Sequence, residues 1–352
     1  MKGIELQSVA ERYRKALIDD VIPFWMKYSP DRDAGGFFTC LDRQGGVYDT
    51  DKFVWLQGRE VWMFSHLYNN VEKRQEWLLM ALSGATFLER YGRDGDGNFY
   101  FSMNRAGKPL IQPYNIFSDC FAAMAFGELF RATGNARHGD LALNTFRNIL
   151  KRSDNPKGQW TKSYPGTRPL KGFSLPMILS NLSGLISHLL DRETVDRIEE
   201  DCIHEVMDVI FSEDYGLILE NVAPDGSFSD SFEGRLLNPG HAIEAMWFMM
   251  DLAERRGDKE LVSRAVEITL RTLEKGWDEL YGGIFYFLDV KGYSPQQLEW
   301  DQKLWWVHIE TLISLAKGYR LTGDVRCLEW FEKVDLYDLE NEEKEWVKYI
   351  IK

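Results

Sequence analysis

The sequence predicts an all-α protein whose helices are paired around a ring, an (α/α)6 toroid with short β-hairpins at one end. Two observations carry this prediction. A glycine-aromatic stretch typical of a β-hairpin returns about every 60 residues along the 352-residue chain. Two helical patterns lie between consecutive stretches, and the first is more apolar than the second. An inner ring of apolar helices inside an outer ring of amphipathic helices would bury both patterns.

Five stretches are predicted to form the hairpins, because apolar residues alternate on either side of a turn in each strong copy. They are "GGFFTCLDRQGGVYD" from Gly35, "GDGNFYFSMNRAGKPL" from Gly95, the weaker "KGQWTKSYPGTRP" from Lys157, "YGLILENVAPDGSF" from Tyr215 and "YGGIFYFLDVKGYSP" from Tyr281. A sixth copy is expected about 60 residues after Tyr281, where residues 343–352 supply only an opening strand. The sequence therefore predicts one (α/α)6-type domain over residues 1–352 that is incomplete at its carboxy-terminal end and lacks its last inner helix.

The helix pairs are joined by turns in which glycine is followed by Asn or Asp, a sequence that ends one helix and caps the next. Examples are "RATGNARHGD", "AERRGDKELV" and "YRLTGDVRCL". The first helix of a pair is apolar, as in "FSDCFAAMAFGELF", and the second carries more charge, as in "KELVSRAVEITLRTLEKGW". The first helices are therefore assigned to the inner ring and the second helices to the outer ring.

The composition and the motifs of the sequence argue against nucleic-acid binding, membrane binding and cofactor-dependent chemistry. The chain carries 42 Lys and Arg against 55 Asp and Glu, and its net charge of −13 would repel nucleic acid. Four scattered cysteines, no apolar amino-terminal signal and no run of about 18 apolar residues predict a soluble cytoplasmic protein that binds no membrane. Phosphate-loop, dinucleotide, zinc-protease and serine-hydrolase motifs do not occur in the sequence, so we expect acid–base chemistry that requires no cofactor.

The stretch "NPGHAIEAMW" (residues 238–247) places two ionisable residues in an apolar helix. Asn238 suits the N-cap and Pro239 the first helical position, so His241 falls in the first turn and Glu244 one turn later on the same face. The helix dipole disfavours a proton on imidazole at this end, which predicts a neutral His241 that can act as a general base. Glu244 would fix the histidine tautomer or orient a substrate hydroxyl. The alternative is that both residues only cap the helix end.

Two further pairs repeat an i, i+4 spacing on inner helices, so each pair shares a face. Trp55 and Arg59 lie in "FVWLQGREVW", and Trp306 and Glu310 lie in "KLWWVHIETL". An aromatic face beside a polar group suits a sugar ring. Arg59 requires an acceptor, which is either an acidic partner or a sugar oxygen or developing enolate. His308 lies about 200° around the helix from Trp306 and is expected to be structural.

Four more polar residues near inner-helix starts or faces are candidates for substrate binding, because hairpin loops and helix starts would form one mouth. They are Tyr114, Asp119, Asn181 and Arg235. The ring is expected to gather His241, Arg59 and Glu310 at this common opening, within reach of a single ligand.

With these residues in place, the chain resembles the N-acylglucosamine 2-epimerase family, which includes cellobiose 2-epimerases and related aldose–ketose isomerases. The resemblance covers nearly the whole chain and implies an (α/α)6 barrel. Its most specific pieces, in the family's order, are "GGFFTCLDRQGGVYD", "KFVWLQGREVWMFS", "GRLLNPGHAIEAMWF", "GWDELYGGIFYFLD" and "KLWWVHIETL".

The resemblance implies roles for single residues. His241 looks like one of the family's two acid/base histidines, and Trp55 and Trp306 would line the sugar pocket. The catalytic candidates are His241, Glu244, Arg59 and Glu310. The implied reaction opens the sugar ring, removes the C2 proton to give a cis-enediolate and returns a proton to the other face. Arg59 would stabilise the charge that develops on O1.

One part of the family pattern is absent. Family members carry a second histidine in a His-x-Pro-Arg segment on the last inner helix, and this sequence contains no such segment. Because two-base epimerisation needs a group on each face of the enediolate, this difference predicts impaired activity. Loss of this helix would expose apolar faces of its neighbours, which predicts either a destabilised barrel or association, with a homodimer as the expected assembly. Met177 and Asn181 stand where disaccharide epimerases are expected to carry a histidine, which favours the N-acylglucosamine type.

Three functions follow from these observations. The first is interconversion of the monosaccharides N-acetylglucosamine and N-acetylmannosamine, with ATP as an activator that is not consumed if the resemblance extends to regulation. The second is an aldose–ketose isomerase acting on mannose-like sugars, for which one base would suffice. The third is a non-catalytic sugar-binding or interaction protein.

Overall fold

The computed structural model describes residues 6–161, 164 and 166–342. Its α-helices are α1 (Leu6–Ala16), α2 (Ile22–Tyr28), α3 (Val54–Asn70), α4 (Gln75–Tyr91), α5 (Phe117–Thr133), α6 (Ala136–Arg152), α7 (Ser174–Leu185), α8 (Arg192–His204), α9 (Pro239–Arg256), α10 (Lys259–Gly276), α11 (Trp305–Thr322) and α12 (Val325–Glu342). None of the helices in these residues combines the length and apolar character needed to cross a membrane.

Short strands connect the helix pairs. They are β1 (Cys40–Leu41), β2 (Val47–Asp49), β3 (Lys52–Phe53), β4 (Ser102–Met103), β5 (Pro109–Ile111), β6 (Lys171–Gly172), β7 (Phe211–Ser212), β8 (Leu217–Ile218), β9 (Asn221–Val222), β10 (Leu236–Leu237) and β11 (Leu288–Asp289). The predicted opening strand at 343–352 lies outside the described residues.

Contacts within the chain define two compact units. The amino-terminal unit contains residues 10–161 and 182–195, and the carboxy-terminal unit contains residues 6–9, 164, 166–181 and 196–342 of the part described. The assignment of residues 1–352 to one domain stays a prediction.

In the amino-terminal unit, α3 packs against α4 and α5, and α5 packs against α6. The core between these helices is dominated by phenylalanine side chains that are fully or almost fully buried. They include Phe37, Phe64, Phe87, Phe99 and Phe126. This packing agrees with the predicted alternation, in which an apolar helix contacts both its amphipathic partner and the next apolar helix.

The carboxy-terminal unit repeats this pattern. Helix α9 packs against α10 and α11, and α11 packs against α12. A glycine in the left-handed conformation ends α9 at Gly257 (φ 70°), and Asp258 then caps α10 by accepting a hydrogen bond from the Leu261 amide at 2.9 Å. Glycine adopts this conformation without the steric penalty of a Cβ atom. The predicted Gly-Asp turn is therefore confirmed here.

Two of the five predicted hairpins form as expected. The copy from Gly35 gives the antiparallel pair β1–β2, and the copy from Gly95 gives β4–β5, to which β3 adds an edge. Two further predictions, those for the Tyr215 and Tyr281 copies, are wrong in their pairing. The Tyr215 copy splits, because β8 pairs with β7 and β9 pairs with β6, while β11 of the Tyr281 copy pairs with β10. The Lys157 copy contains a 3-10 turn at Gly158–Trp160, and part of it lies outside the described residues.

A polar side chain near the start of three inner helices anchors the loop that precedes it. In each case the side chain accepts a hydrogen bond from a backbone N–H in the connection before the helix, at 2.8–3.1 Å. The donor and acceptor pairs are Phe37 and Gln57, Phe99 and Asp119, and Ile284 and His308. An amide, a carboxylate and an imidazole thus serve the same structural purpose, because a buried N–H must find an acceptor.

Candidate active site

The candidate site of the carboxy-terminal unit includes His241, which lies in the first turn of α9. The Asn238 side chain accepts a hydrogen bond from the His241 amide at 3.0 Å, and Pro239 follows the N-cap, so the predicted helix start is confirmed. The imidazole is only partly buried, with 29% of the side chain exposed.

The carboxylate that contacts His241 comes from Glu220, which sequence reasoning missed. Its Oε1 lies 2.9 Å from His241 Nδ1. A carboxylate accepts hydrogen bonds only, so a neutral His241 carries its proton on Nδ1 and presents a lone pair on Nε2. No group among the described residues hydrogen-bonds Nε2. The ring is therefore oriented with its basic nitrogen available.

The electrostatic setting of His241 differs from the one predicted. Burial alone would lower its pKa, but the negative charges of Glu220 and Glu244 outweigh burial and raise the pKa above its ordinary 6.5. The expectation that the helix dipole would keep the imidazole's pKa low is therefore wrong, because two carboxylates act more strongly than the helix start. Glu244 contributes through charge, whereas Glu220 also supplies the hydrogen bond.

An aromatic wall stands beside the imidazole. The Trp306 ring centroid lies 5.5 Å from that of His241, and Tyr286 meets Trp306 edge-on at 6.1 Å. Gly240 permits this approach, since a Cβ atom there would lie 2.6 Å from the Trp306 ring. Any larger residue at position 240 would clash with the Trp306 ring, which explains why glycine precedes His241 in the helix.

A second contact joins α9 and α11 deeper along both helices. The Trp247 indole N–H donates a hydrogen bond to Glu310 Oε2 at 2.8 Å. His241, Glu244 and Trp247 are the half-buried positions of an otherwise buried segment, at three-residue intervals. The Cα atoms of His241 and Trp247 are separated by about 9 Å along the axis of α9. These two contacts give α9 and α11 a set of partly buried polar and aromatic side chains, which are residue types suited to a hydroxylated ligand.

His308 is buried and structural, as predicted. Its Nδ1 pairs with the Leu304 carbonyl at 2.9 Å, and its Nε2 accepts the Ile284 N–H at 3.1 Å. Burial lowers its pKa to about 4, so the ring is neutral at physiological pH. Both nitrogens are occupied by backbone groups, which leaves the ring no capacity for proton transfer to a ligand.

In the amino-terminal unit, Arg59 is exposed on an aromatic platform. Its guanidinium carbon lies 4.9 Å from the Phe121 ring centroid and 5.8 Å from that of Trp55. Within the described residues no carboxylate pairs with it. The acidic-partner alternative is thus not realised there, and the guanidinium retains donors for an oxygen ligand.

Tyr114 and Asp119 occupy different environments in the same unit. The Tyr114 ring is half-buried and packs 5.1 Å from Phe101. Asp119 is fully buried, accepts the Phe99 N–H at 3.1 Å and pairs with Arg152 at 3.1 Å. Burial raises the pKa of Asp119 to about 6 despite the opposing charge of Arg152. The substrate-binding assignment of Asp119 is corrected, since its carboxylate anchors the preceding loop and is closed to a ligand.

Arg235 is also committed to protein groups. Its Nε donates to Asp289 at 2.8 Å and its Nη1 donates to Asp230 at 2.9 Å, while Phe232 and Tyr293 flank the guanidinium. These two ion pairs link the connection before α9 to β11. They occupy donors of the guanidinium, which argues against the prediction that Arg235 binds substrate. A cavity of about 410 Å³ nevertheless includes Arg235 in its lining.

The structure therefore brings one part of the predicted site together. His241, Glu244, Trp306 and Glu310 are joined through α9 and α11 in the carboxy-terminal unit. Asn181 is half-buried on α7. The meeting of Arg59 with this cluster stays a prediction. Glu220, Trp247 and Tyr286 were missed, although Glu220 gave a signal as a lone acidic residue in the apolar stretch "LILENV".

The chain is similar to proteins of known activity over most of its length. The model of the family described as N-acylglucosamine 2-epimerase (GlcNAc 2-epimerase) matches residues 36–347. The N-acylglucosamine 2-epimerase of Mus musculus is 38% identical over 347 residues, covering 95% of this chain and 82% of the mouse protein. That of Homo sapiens is 37% identical over 358 residues, covering 98% and 83%.

A solved structure supports the architecture. The cellobiose 2-epimerase of Bacillus thermoamylovorans matches with a TM-score of 0.80 at 19% identity, over 94% of this chain and 87% of that protein. The predicted (α/α)6 fold class is thereby confirmed. The aromatic and ionisable side chains of α9 and α11 thus lie in a fold that this cellobiose 2-epimerase shares.

Proposed function

Because the chain belongs to the N-acylglucosamine 2-epimerase family, we propose that it is an isomerase that interconverts N-acetylglucosamine and N-acetylmannosamine. The observation that carries the proposal is the state of His241. One ring nitrogen is held by Glu220, and the other is open beside Trp306. An imidazole held in this way is suited to remove a proton from carbon.

The chemistry proceeds from the opened sugar, in which the C2–H lies next to the C1 aldehyde. His241 Nε2 takes the C2 proton, and the electron pair forms a C1–C2 enediolate with negative charge on O1. A proton from water then adds to the opposite face of C2 and gives the epimer, and His241 releases the proton that it removed to solvent. Trp306 supplies a surface on which the sugar can lie, and Glu310 and Glu244 are acceptors for its hydroxyl groups.

Arg59 is proposed to stabilise the enediolate. Support comes from its exposed guanidinium, which rests on Phe121 and Trp55 without a carboxylate partner in the described part of the chain. A cationic donor aimed at developing charge lowers the barrier to forming the enediolate, because a C2–H is a very weak acid without such help.

The test is proton NMR of N-acetylmannosamine incubated with the protein in D2O. We expect N-acetylglucosamine to accumulate with deuterium at C2, because the proton added to the opposite face of C2 comes from the D2O solvent. Absence of both exchange and epimer would contradict the proposal. Fructose formed from mannose would instead identify an aldose–ketose isomerase, and sugar binding without turnover that His241→Ala leaves unchanged would identify a non-catalytic protein.

Three finer features belong to the same proposal and are supported by the family resemblance and the composition. ATP is proposed to activate the enzyme without being consumed. The sequence contains no phosphate loop to hold it, so no chemical step is assigned to it. A homodimer and a cytoplasmic location are proposed likewise. Assays with and without ATP and sedimentation velocity of the purified protein test the first two.

A further inference from the structure

We propose that Glu220 is a positioning residue that fixes the His241 tautomer and ring orientation, so that Nε2 is the nitrogen that meets the C2 proton. This inference deepens the proposed epimerase function and rests on it for its kinetic consequence. The geometric part concerns the protein alone and can be tested without turnover.

Glu220 is held rigidly by its own backbone. It lies between β8 and β9, where its carbonyl accepts the Phe173 N–H at 3.0 Å and its N–H donates to the Leu236 carbonyl at 2.9 Å. Its side chain is 12% exposed. The carboxylate is thus carried by a strand connection that is hydrogen-bonded to β10, the segment that leads into α9, and it can hold the imidazole against rotation.

The position of the carboxylate decides which nitrogen reacts. With Oε1 at 2.9 Å from Nδ1, the neutral ring keeps its proton on Nδ1, and Nε2 remains the base. Loss of the carboxylate would allow the other tautomer, in which Nε2 carries the proton and cannot accept one. A positioned carboxylate has this effect in hydrolase triads, where an amide in its place favours the wrong tautomer.

Other charged and titratable groups face the same cluster. Glu244 acts on His241 from α9 itself, and Tyr286, whose pKa is raised by burial and by the charges of Glu299 and Glu220, borders Trp306. Neither Glu244 nor Tyr286 supplies the Nδ1 hydrogen bond. Glu220 therefore sets the tautomer, while Glu244 contributes charge only, so the two roles separate in mutants.

The experiment compares the full-length wild type with Glu220→Gln, Glu220→Asp and the control Glu233→Gln. Glu233 lies in the nearby connection and pairs with Arg168 at an exposed site, so its amide variant changes the charge without touching His241. Epimerisation kcat and KM are measured from pH 5 to 9. Imidazole ¹⁵N NMR of histidine-labelled protein, assigned with His241→Gln, reports which nitrogen carries the proton.

For Glu220→Gln we expect kcat to fall about 100-fold, with KM within about twofold, because the residue acts through His241 and does not touch the sugar. The acid limb of kcat/KM should move to lower pH, since one of the charges that raises the His241 pKa is removed. The ¹⁵N spectrum should lose its preference for Nδ1–H. Glu220→Asp should recover part of kcat, and Glu233→Gln should match wild type.

Two results would overturn the inference. In the first, Glu220→Gln retains the wild-type tautomer and pH profile. In the second, it loses activity only in proportion to a lowered melting temperature, which is the mark of a structural hydrogen bond. If the wild type shows no C2 exchange, the proposed function fails, and the ¹⁵N tautomer measurement alone then decides the role of Glu220.

Discussion

Two histidines of the carboxy-terminal unit lie near the starts of inner helices, yet their environments differ in every respect that matters for chemistry. His308 is 2% exposed, and backbone groups occupy both of its nitrogens. His241 is partly exposed, and a carboxylate occupies only Nδ1. The pKa of His308 is lowered to about 4 by burial, whereas that of His241 is raised by two carboxylates that outweigh burial.

This comparison shows that position on an inner helix does not identify a functional residue in this fold. The first turns also carry the side chains that anchor the preceding loops, and Asp119 belongs with His308 in that group. A candidate site residue differs from an anchor by retaining a donor or acceptor that the protein has not used. His241 Nε2 meets this condition among the described residues, and the Asp119 carboxylate does not.

The largest expected effect is that of His241→Gln. We expect epimerisation kcat to fall by about 100- to 10,000-fold, because a general base contributes a factor of this size. The melting temperature should stay close to that of wild type, since the ring anchors no backbone group. Steady-state kinetics measures the change in kcat, and thermal unfolding of the same preparation measures the melting temperature. Retained kcat would show that His241 is another anchor.

A smaller effect, on folding alone, is expected from Asp119→Ala. Removing the carboxylate leaves the partly buried Arg152 cation and the Phe99 N–H without this partner, and we expect the free energy of unfolding to fall by about 3 kcal/mol. Urea denaturation measures it. Asp119→Asn keeps an acceptor for Phe99 and should lose less. If Asp119→Asn is fully stable but inactive, Asp119 has a role in the reaction after all.

His308→Ala is the matched counterpart of the His241 variant. The Ile284 N–H would lose its acceptor in a buried site, which costs about 2 kcal/mol before any contribution from the cavity. Activity per folded molecule should remain within a few-fold of wild type. A variant that unfolds with wild-type stability and has lost turnover would reverse the assignments of the two histidines.

The smallest expected effect concerns Glu60, a buried carboxyl group that, like Asp119 and His308, is expected to affect stability. It is buried beside Arg59 in α3, accepts a hydrogen bond from Ser29, and burial raises its pKa to about 8 from 4.5. The folded state therefore favours protonated Glu60, and this stability is lost as pH rises through 8. Relative to Glu60→Gln, we expect wild-type unfolding free energy to fall by about 1.4 kcal/mol from pH 7 to 9. If the unfolding free energies of wild type and Glu60→Gln change with pH in the same way, this prediction is wrong.

Local sequence signals predicted the features that local physics determines. The Asn238 cap, the Gly257–Asp258 turn and the alternation of helix character are fixed by short-range preferences, and all are present. Helical periodicity also placed His308 away from Trp306 correctly. The i, i+4 spacing of Trp306 and Glu310 predicted a shared face on an inner helix, and the structure has both residues half-buried on α11.

The remaining features depend on contacts between distant segments. Glu220 is 21 residues from His241, and no periodicity links a strand connection to a helix start. The partners of Asp119 and Arg235 are likewise distant in sequence, so a polar residue near a helix start looked available when it was already paired. Strand pairing failed for the same reason, since β6 pairs with β9 across two helices.

The central claim is that His241 removes the proton from C2, and loss of deuterium from N-acetylglucosamine labelled at C2 tests it most directly. Wild type should release the label into water at a rate comparable with epimerisation, and His241→Gln should release it at least about 100-fold more slowly with its fold intact. Equal release by the two proteins would contradict the account, because another group would then be the base.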